Sequence, residues 1–116
     1  MKYAMVIVTS EEEREPPSQA EREFDGLIRW WADLRERGKV VTSVKLAPPR
    51  TASTVSWRDR APIVTDGPYV EAKEAVGGFV LLDVESAAEA LEIARSWPGR
   101  GRIRIEVRPV VEGAGA

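Results

Sequence analysis

The sequence predicts an α+β fold with elements in the order β-α-β-β-α-β and a β-hairpin inserted after the second strand. Two stretches with helical spacing of apolar residues, four apolar β-rich runs and two short strands around a tight turn support this order. The 116 residues suit one domain, and no internal repeat or linker divides them. We therefore expect a single domain over 1–116, with a frayed tail at 112–116.

The first strand, helix and second strand follow one another directly. Residues 2–8, KYAMVIV, are apolar on both faces, which is typical of a central strand. Ser18 and Glu21 form a capping box that starts a helix. An apolar stripe at helical spacing continues this helix, namely Phe24, Leu27, Ile28, Trp31 and Leu34. Gly38 is placed to end the helix, and VVTSVKL at 40–46 is the second strand.

The inserted hairpin and the next strand are predicted between two proline-containing breaks. TVSWR at 54–58 pairs with 63–65 around a turn at 59–62. The segment 69–76 is expected to be a loop or a short irregular stretch. An apolar strand then covers 79–84. Without the hairpin, the element order is that of the ferredoxin-like, or split βαβ, arrangement.

The second helix has its own capping box, Ser86 with Glu89. Its predicted apolar stripe contains Ala87, Ala90, Leu91, Ala94 and Trp97. Pro98-Gly99 is expected to end it. Residues 102–107 then alternate between apolar and charged side chains, which indicates a final strand with one buried face.

Two helices can cover only one face of the sheet, yet the strands at 2–8 and 79–84 are apolar on both faces. A second copy is the simplest cover for the other face, so we expect a homodimer with facing sheets. The alternative is that the hairpin and loops fold back over it. Trp30 and Trp31 are adjacent, so we expect Trp31 to face the core and Trp30 to cover an edge or line an interface.

Composition excludes several classes of function. The chain has no Cys and no His, which removes thiol nucleophiles, Ser-His pairs and His-ligated metals. The net charge of −2 and the absence of an 18-residue apolar run argue against nucleic-acid and membrane partners. No cofactor motif is present, and neither a metal nor a cofactor is expected. An arginine cluster within 95–108 is either a solvated face or an anion site. The lack of an export signal favours the cytoplasm.

The densest polar run, 65–74, contains the candidate catalytic residue. Asp66 precedes Gly67 and Pro68 and so lies on a stiff corner. Its carboxylate is either the acceptor of an Asx turn or a general acid/base at the mouth of a loop. Tyr69 can offer a phenol hydrogen bond or cover the edge of the core.

The charged residues of this run form a binding cluster or a solvated loop. A Lys between two carboxylates stays protonated, which suits anion binding. The candidate ligand-binding residues are Thr65, Gly67, Pro68, Tyr69, Glu71, Lys73 and Glu74.

The string TDGPYVEAKE at 65–74, followed by Gly77-Gly78-Phe79, resembles the YCII-related proteins of the DGPF type. The resemblance extends to Met1-Lys2-Tyr3 at the start and to Ile105-Glu106-Val107-Arg108-Pro109 near the end. It implies a dimeric α+β barrel of ferredoxin-like subunits. It also implies a cleft at the sheet face into which the DGP turn points. Members of this branch are mostly bacterial and cytoplasmic, without an assigned reaction.

This chain departs from the family pattern at two points. Tyr69 stands where Phe is usual, and better-studied YCII-like proteins pair Asp with a His that this chain lacks. The sequence therefore favours a ligand-binding or regulatory protein with a small-molecule pocket at the DGPY turn. A small cofactor-free enzyme that uses Asp66 is the first alternative. The second is an interaction module associated with sigma-factor-type transcription regulation, with Trp30 or Trp57 as anchor.

Overall fold

The computed structural model describes residues 1–10, 17–68, 74–98 and 103–112, and the side chains among them except those of Ser10 and 17–25. It has a mixed α+β fold. The elements are β1 (Lys2–Ser10), α1 (Pro17–Glu36), β2 (Val40–Lys45), a 3-10 turn (Pro49–Thr51), β3 (Ser53–Arg58), β4 (Ala61–Asp66), β5 (Glu74–Asp83), α2 (Ala87–Arg95) and β6 (Ile103–Pro109). Four strands form an antiparallel sheet in the order β2-β5-β1-β6, and β3 pairs with β4 in a separate two-stranded sheet.

Strand β5 is longer than the sequence predicts. It begins at Glu74 instead of Phe79, so the last part of the predicted loop belongs to the sheet. The register between β1 and β5 shifts at Ile7 and Val8. Beyond this shift the two strands stay paired, so that Thr9 lies opposite Ala75 and Ser10 opposite Glu74. Counting apolar residues along the chain cannot detect such an extension, because it depends on pairing with another strand.

The hairpin turn is tighter than predicted. Asp59 and Arg60 form a two-residue connection, and their φ angles are 50° and 69°. These angles match the turn whose twist suits a two-residue hairpin. Strand β4 therefore begins at Ala61, two residues before the predicted start, and Pro62 pairs with Trp57 in the ladder.

The core lies between one face of the sheet and the two helices. Its buried apolar residues are Tyr3, Met5, Leu34, Val80, Leu82, Val84, Ala90 and Ile93. The stripe predicted for α2 is wrong at two positions, since Ala87 and Leu91 are exposed, and it omits Ile93, which is buried. Ile28 of the predicted α1 stripe is also exposed. Helix α2 ends at Arg95, before the predicted stop at Pro98-Gly99.

Three tryptophans join the two helices. Trp30 meets Trp31 and Trp97 edge-to-face, with ring centroids 5.0 Å apart in both pairs. The indole N–H of Trp30 donates to the hydroxyl of Ser96 at 2.8 Å. Both Trp30 and Trp31 pack against the core, so the expectation that only one would do so was wrong. The Trp97 ring also meets the Trp31 ring edge-to-face, with the two ring centroids 6.4 Å apart.

Two helix ends, the start of α2 and the end of α1, agree with the sequence signals. Ser86 accepts a hydrogen bond from the amide of Glu89, as the capping box requires. The Glu89 carboxylate accepts from the amide of Glu85 at 3.0 Å and from the ammonium of Lys39 at 3.1 Å. These bonds lower the pKa of Glu89 below its ordinary value. Gly38, with φ 70°, ends the first helix as predicted.

The predicted capping box at Ser18 and Glu21 lies outside the described side chains. Among the helices of the described ranges, none is long and apolar enough to cross a membrane.

The face of the sheet opposite the helices is open and apolar in the centre. Pairing register places one set of residues on this outer face: Ala4, Val6, Val8, Thr42, Val44, Val76, Phe79, Leu81, Arg104, Glu106 and Arg108. Val44, Val76 and Phe79 are each 39–46% exposed, so the hairpin does not fold over them. Arg104 pairs with Glu74 and Arg108 with Glu106, which favours the solvated interpretation of the arginine cluster.

Candidate functional site

A groove lies where β1 ends, β5 begins and β2 ends, beside α1 and the 3-10 turn. Its volume is about 1220 Å³, somewhat above the roughly 300–1,000 Å³ of most small-molecule sites. Its lining combines aromatic and aliphatic side chains with a few basic ones. The residues that matter most are Leu27, Trp31, Arg35, Lys45, Arg50, Pro68, Glu74, Gly77, Gly78 and Trp97.

The aromatic wall of the groove comes from the two helices. Trp31 of α1 and Trp97, two residues beyond α2, both line it. The guanidinium of Arg35 lies over the Trp31 ring, 5.7 Å from its centroid. The indole nitrogen of Trp97 is buried and has no hydrogen-bond partner among the described residues. The Trp97 ring therefore contributes apolar surface to this wall, and its indole nitrogen does not face the groove.

Three basic side chains come from three different elements. Arg35 is in the last turn of α1, Lys45 ends β2 and Arg50 lies in the 3-10 turn. None of them forms a salt bridge within the described ranges. Glu74 also lines the groove, but Arg104 already binds its carboxylate. The described lining is therefore positively charged overall.

Two adjacent glycines leave the middle of the groove without side chains. The sequence predicts a bulge or a tight strand entry at Gly77-Gly78, and both glycines lie within β5. Gly78 pairs with Lys45 on one side and with Ile7 on the other. A side-chain carbon built on Gly78 would overlap the carbonyl oxygen of Val44. Close approach of β2 therefore requires glycine at this position.

The DGP corner is held by its backbone. Gly67 has φ 94°, and its amide donates to the carbonyl of Ala52 at 2.7 Å. The Thr54 hydroxyl donates to the Gly67 carbonyl at 2.7 Å. Asp66 ends β4 and is exposed, and its carboxylate accepts no hydrogen bond from any residue that the structure describes. An Asx turn at Asp66 would use amides that follow Pro68 and lie outside the described residues, so it stays a prediction. Among the described residues, Thr54 holds the corner.

The structure places some of the predicted site residues at the groove and others at the base of the hairpin. Pro68 and Glu74 line the groove. Thr65, Asp66 and Gly67 lie at the base of the hairpin and do not line it. Tyr69, Glu71 and Lys73, for which the sequence predicts ligand binding, lie outside the described residues. Ligand binding by these residues and catalysis by Asp66 stay predictions.

Sequence reasoning missed most of the groove. Trp31 and Trp97 were predicted only as members of helical apolar stripes, and the sequence predicted no role for Arg35. Lys45 and Arg50 flank the Ala47-Pro48-Pro49 break, and this break was the one available signal that the chain turns there. Several elements that are far apart in the chain meet at the groove, so spacing along the chain cannot reveal it. In the described ranges no three acidic residues cluster to hold a metal ion.

Comparison with known proteins identifies the family. The YCII-related domain matches residues 1–113. An uncharacterized protein of Rhizobium meliloti (strain 1021) is 35% identical over 107 residues, which cover 89% of this chain and 82% of that protein. The match takes in both the hairpin and the strand with the glycine pair. The chain therefore belongs to the YCII-related domain family.

Proposed function

We propose that this protein is a homodimeric small-molecule-binding protein with a regulatory role, and that the groove is its binding site. The observation that carries the proposal is the groove itself, with about 1220 Å³ between two tryptophans, three basic residues and the glycine pair. Pro68 connects it to the DGP corner. A concave, largely apolar site with a few polar groups is the usual form of a ligand pocket.

The strand order supports a ferredoxin-like subunit. When the hairpin is left out, the chain runs β-α-β-β-α-β and the first and third strands are the central pair. This is the split βαβ arrangement, with both helices on one face. We propose that two such subunits form an α+β barrel.

The open outer face supports a dimer. Val6, Val8 and Leu81 are half-buried in its centre, and Val44 and Phe79 extend the apolar surface towards β2. Contiguous exposed apolar surface of this kind is usually covered by a partner. A second copy offers the same surface, and a twofold axis would bring the two together.

The hairpin offers a second uncovered apolar surface. Register places Val55 opposite Val64 and Trp57 opposite Pro62 on one face, and Asp66 lies at the base of that face. Trp57 is 68% exposed and Val64 is 66% exposed. The radius of gyration is 16.5 Å, against about 13 Å for a compact domain of this length. An extended hairpin of this kind can reach a second subunit.

An enzymatic role for Asp66 is the second candidate. The carboxylate is presented on a corner that backbone and Thr54 contacts hold. A second subunit that covered the hairpin face would enclose Asp66 at the interface and make it a usable general acid/base. Trp57 favours a third candidate, a protein-interaction module of sigma-factor-type regulation, because it is the most exposed tryptophan of the described chain. The cytoplasmic location and bacterial origin are proposals that come from the family resemblance.

A thermal-shift screen of small organic acids, amines and neutral compounds tests the proposed function. A ligand at a hundred times its Kd stabilises a fold by about 2.7 kcal/mol, which raises the midpoint by several degrees. We expect at least one class of compound to do so, in wild type and in Asp66→Asn alike. If a compound is turned over and the turnover disappears in Asp66→Asn, the enzymatic candidate replaces the binding one. If no class shifts the midpoint at millimolar concentration, the groove is not a ligand site.

A further inference from the structure

Within the described part of the chain, the three basic residues of the groove differ from other basic residues nearby because they form no salt bridge. Arg37 forms a salt bridge with Asp33 at 3.2 Å, and Lys39 forms one with Glu89 at 3.1 Å. Arg37 and Lys39 both lie within four residues of Arg35 in the sequence. In contrast, Arg35, Lys45 and Arg50 have no carboxylate partner in the part of the chain that the structure describes.

Among the described lining residues, acidic side chains do not offset the positive charge of these three residues. Glu74 is the acidic residue among the described lining, and its carboxylate binds Arg104. Three cations facing one neutralised carboxylate make the groove attractive to an anion, because a concave site with low-dielectric walls concentrates the field of its charges.

The walls between these cations are apolar and partly aromatic. Leu27, Trp31 and Trp97 line the side formed by the helices, and Val80 and Ile7 lie on the sheet. The glycine pair adds open space instead of side chains. The ring of Trp97 contributes apolar surface here, since its indole nitrogen is buried away from the groove. A free inorganic ion would leave these walls exposed to water, whereas an organic body would cover them.

We propose that the natural ligand is an amphipathic organic anion, with a carboxylate or similar acidic group at one end and an apolar or aromatic body at the other. The acidic group lies between Arg35, Lys45 and Arg50, and the body lies against Trp31 and Trp97. This inference rests on the proposed function, since it names the ligand class of the same groove. Charge complementarity at one end and apolar area at the other select this class over neutral compounds and simple ions.

The test is an NMR titration of the ¹⁵N-labelled protein, read at the four tryptophan indole N–H signals. Three probes separate the contributions of charge and apolar body: phenylbutyrate, its neutral amide phenylbutyramide, and inorganic phosphate. Trp57 lies on the hairpin and does not line the groove, so its signal is the internal control. We expect phenylbutyrate to shift the Trp31 and Trp97 signals saturably. The amide should bind at least tenfold more weakly, and phosphate more weakly still, because one charge-assisted hydrogen bond accounts for about a tenfold difference.

Variants complete the test. Lys45→Gln and Arg50→Gln are each expected to weaken phenylbutyrate binding about tenfold and to leave the amide unchanged. Arg58→Gln, at the end of β3, is the matched control and should change neither. Both groove residues are exposed, so these variants keep the core intact.

The outcomes separate this inference from the proposed function. If the acid and the amide bind equally well at Trp31 and Trp97, the anion inference is wrong and the groove is still a ligand site. If phosphate alone binds as well as phenylbutyrate, the apolar body plays no part and the inference is also wrong. If no probe moves these signals at millimolar concentration, while a screened compound of another class does, the ligand class is wrong. If no compound moves them, the proposed function fails as well.

Discussion

Gly78 of β5 lies directly against the backbone of Val44 in β2, so that any side-chain carbon at position 78 would overlap the Val44 carbonyl oxygen. The Cα of Lys45 is also within 3.3 Å of that carbon position. The contact joins the edge strand β2 to the centre of the sheet.

The first prediction concerns this contact. Gly78→Ala should destabilise the fold by roughly 1–3 kcal/mol, because the backbone of β2 must move to admit a methyl group. The thermal midpoint should fall by several degrees. Gly77→Ala is the matched control, since its added carbon meets the flexible Thr9 side chain at 3.2 Å, and we expect a smaller loss. Equal midpoints for wild type and Gly78→Ala would refute the close approach.

The second prediction concerns the outer face of the sheet. Light scattering should give a mass of twice the 12.8 kDa of the chain. Phe79→Asp should shift the protein to monomer, because a buried carboxylate at the proposed interface is costly. Leu91→Asp is the control, since Leu91 is an equally exposed apolar residue on α2, outside that face. A monomeric wild type, or a dimer that only Leu91→Asp disrupts, would rule out facing sheets.

The third prediction concerns the DGP corner. Asp66→Ala should change the thermal midpoint very little, within the equivalent of about 0.5 kcal/mol, because the side chain is exposed at the end of β4. Thr54→Val should cost about 1 kcal/mol, since it removes the hydrogen bond to the Gly67 carbonyl. A large loss in Asp66→Ala would show that the carboxylate is a structural acceptor after all.

The fourth prediction concerns acid stability. The pKa of Glu89 is lowered by the Glu85 amide and by Lys39, so its stabilising effect is fully present above the ordinary value of 4.5. This effect is lost as the pH falls through the lower pKa of the folded state. Denaturant unfolding of Glu89→Gln should therefore show a flatter decline in the free energy of unfolding below pH 4.5.

Glu92→Gln is the control for that experiment. Glu92 forms a salt bridge with Arg95 in the same helix, but both side chains are at least 70% exposed. Exposed pairs contribute little, so the pH profile of this variant should follow that of wild type. If Glu92→Gln and Glu89→Gln flatten the profile equally, the Lys39 and Glu85 contacts are not its cause.

The fifth prediction concerns the hairpin turn. Arg60 has φ 69°, a conformation in which glycine has no steric penalty. Arg60→Gly should raise stability by about 0.5–1 kcal/mol. Arg60→Ala keeps the strain and should give no such gain. A midpoint that rises equally in both variants would mean that loss of the arginine side chain, and not the backbone, is responsible.

The element order could be predicted from the sequence because each helix and strand has a local signature. Ser86 and Gly38 mark helix ends through hydrogen bonds within a few residues, and the structure confirms both. The start of β5 at Glu74 could not be predicted, since it depends on pairing with the end of β1, which lies far away in sequence; only the irregularity at Gly77 of β5 matches the bulge predicted for the glycine pair. Local patterns determine elements, whereas pairing determines their lengths.

The candidate site was predicted less well for a related reason. The DGP motif is continuous in the sequence, and the structure places its Pro68 at the groove. The aromatic and basic lining depends on several elements that meet only in the folded chain. Trp31 appeared as a core residue because the same helical stripe that buries Leu34 also carries it to the groove wall. Packing, not spacing, distinguishes the two positions.

The most direct measurement for the central claim is calorimetric binding of whichever screened compound stabilises the protein most. Trp31→Leu retains an apolar side chain and removes the ring that lines the groove, whereas Trp57→Leu makes the same change on the hairpin. If the groove is the ligand site, Trp31→Leu weakens binding at least tenfold and Trp57→Leu leaves the Kd within twofold of wild type. Unchanged binding in Trp31→Leu, together with a loss in Trp57→Leu, would place the site on the hairpin and contradict the account.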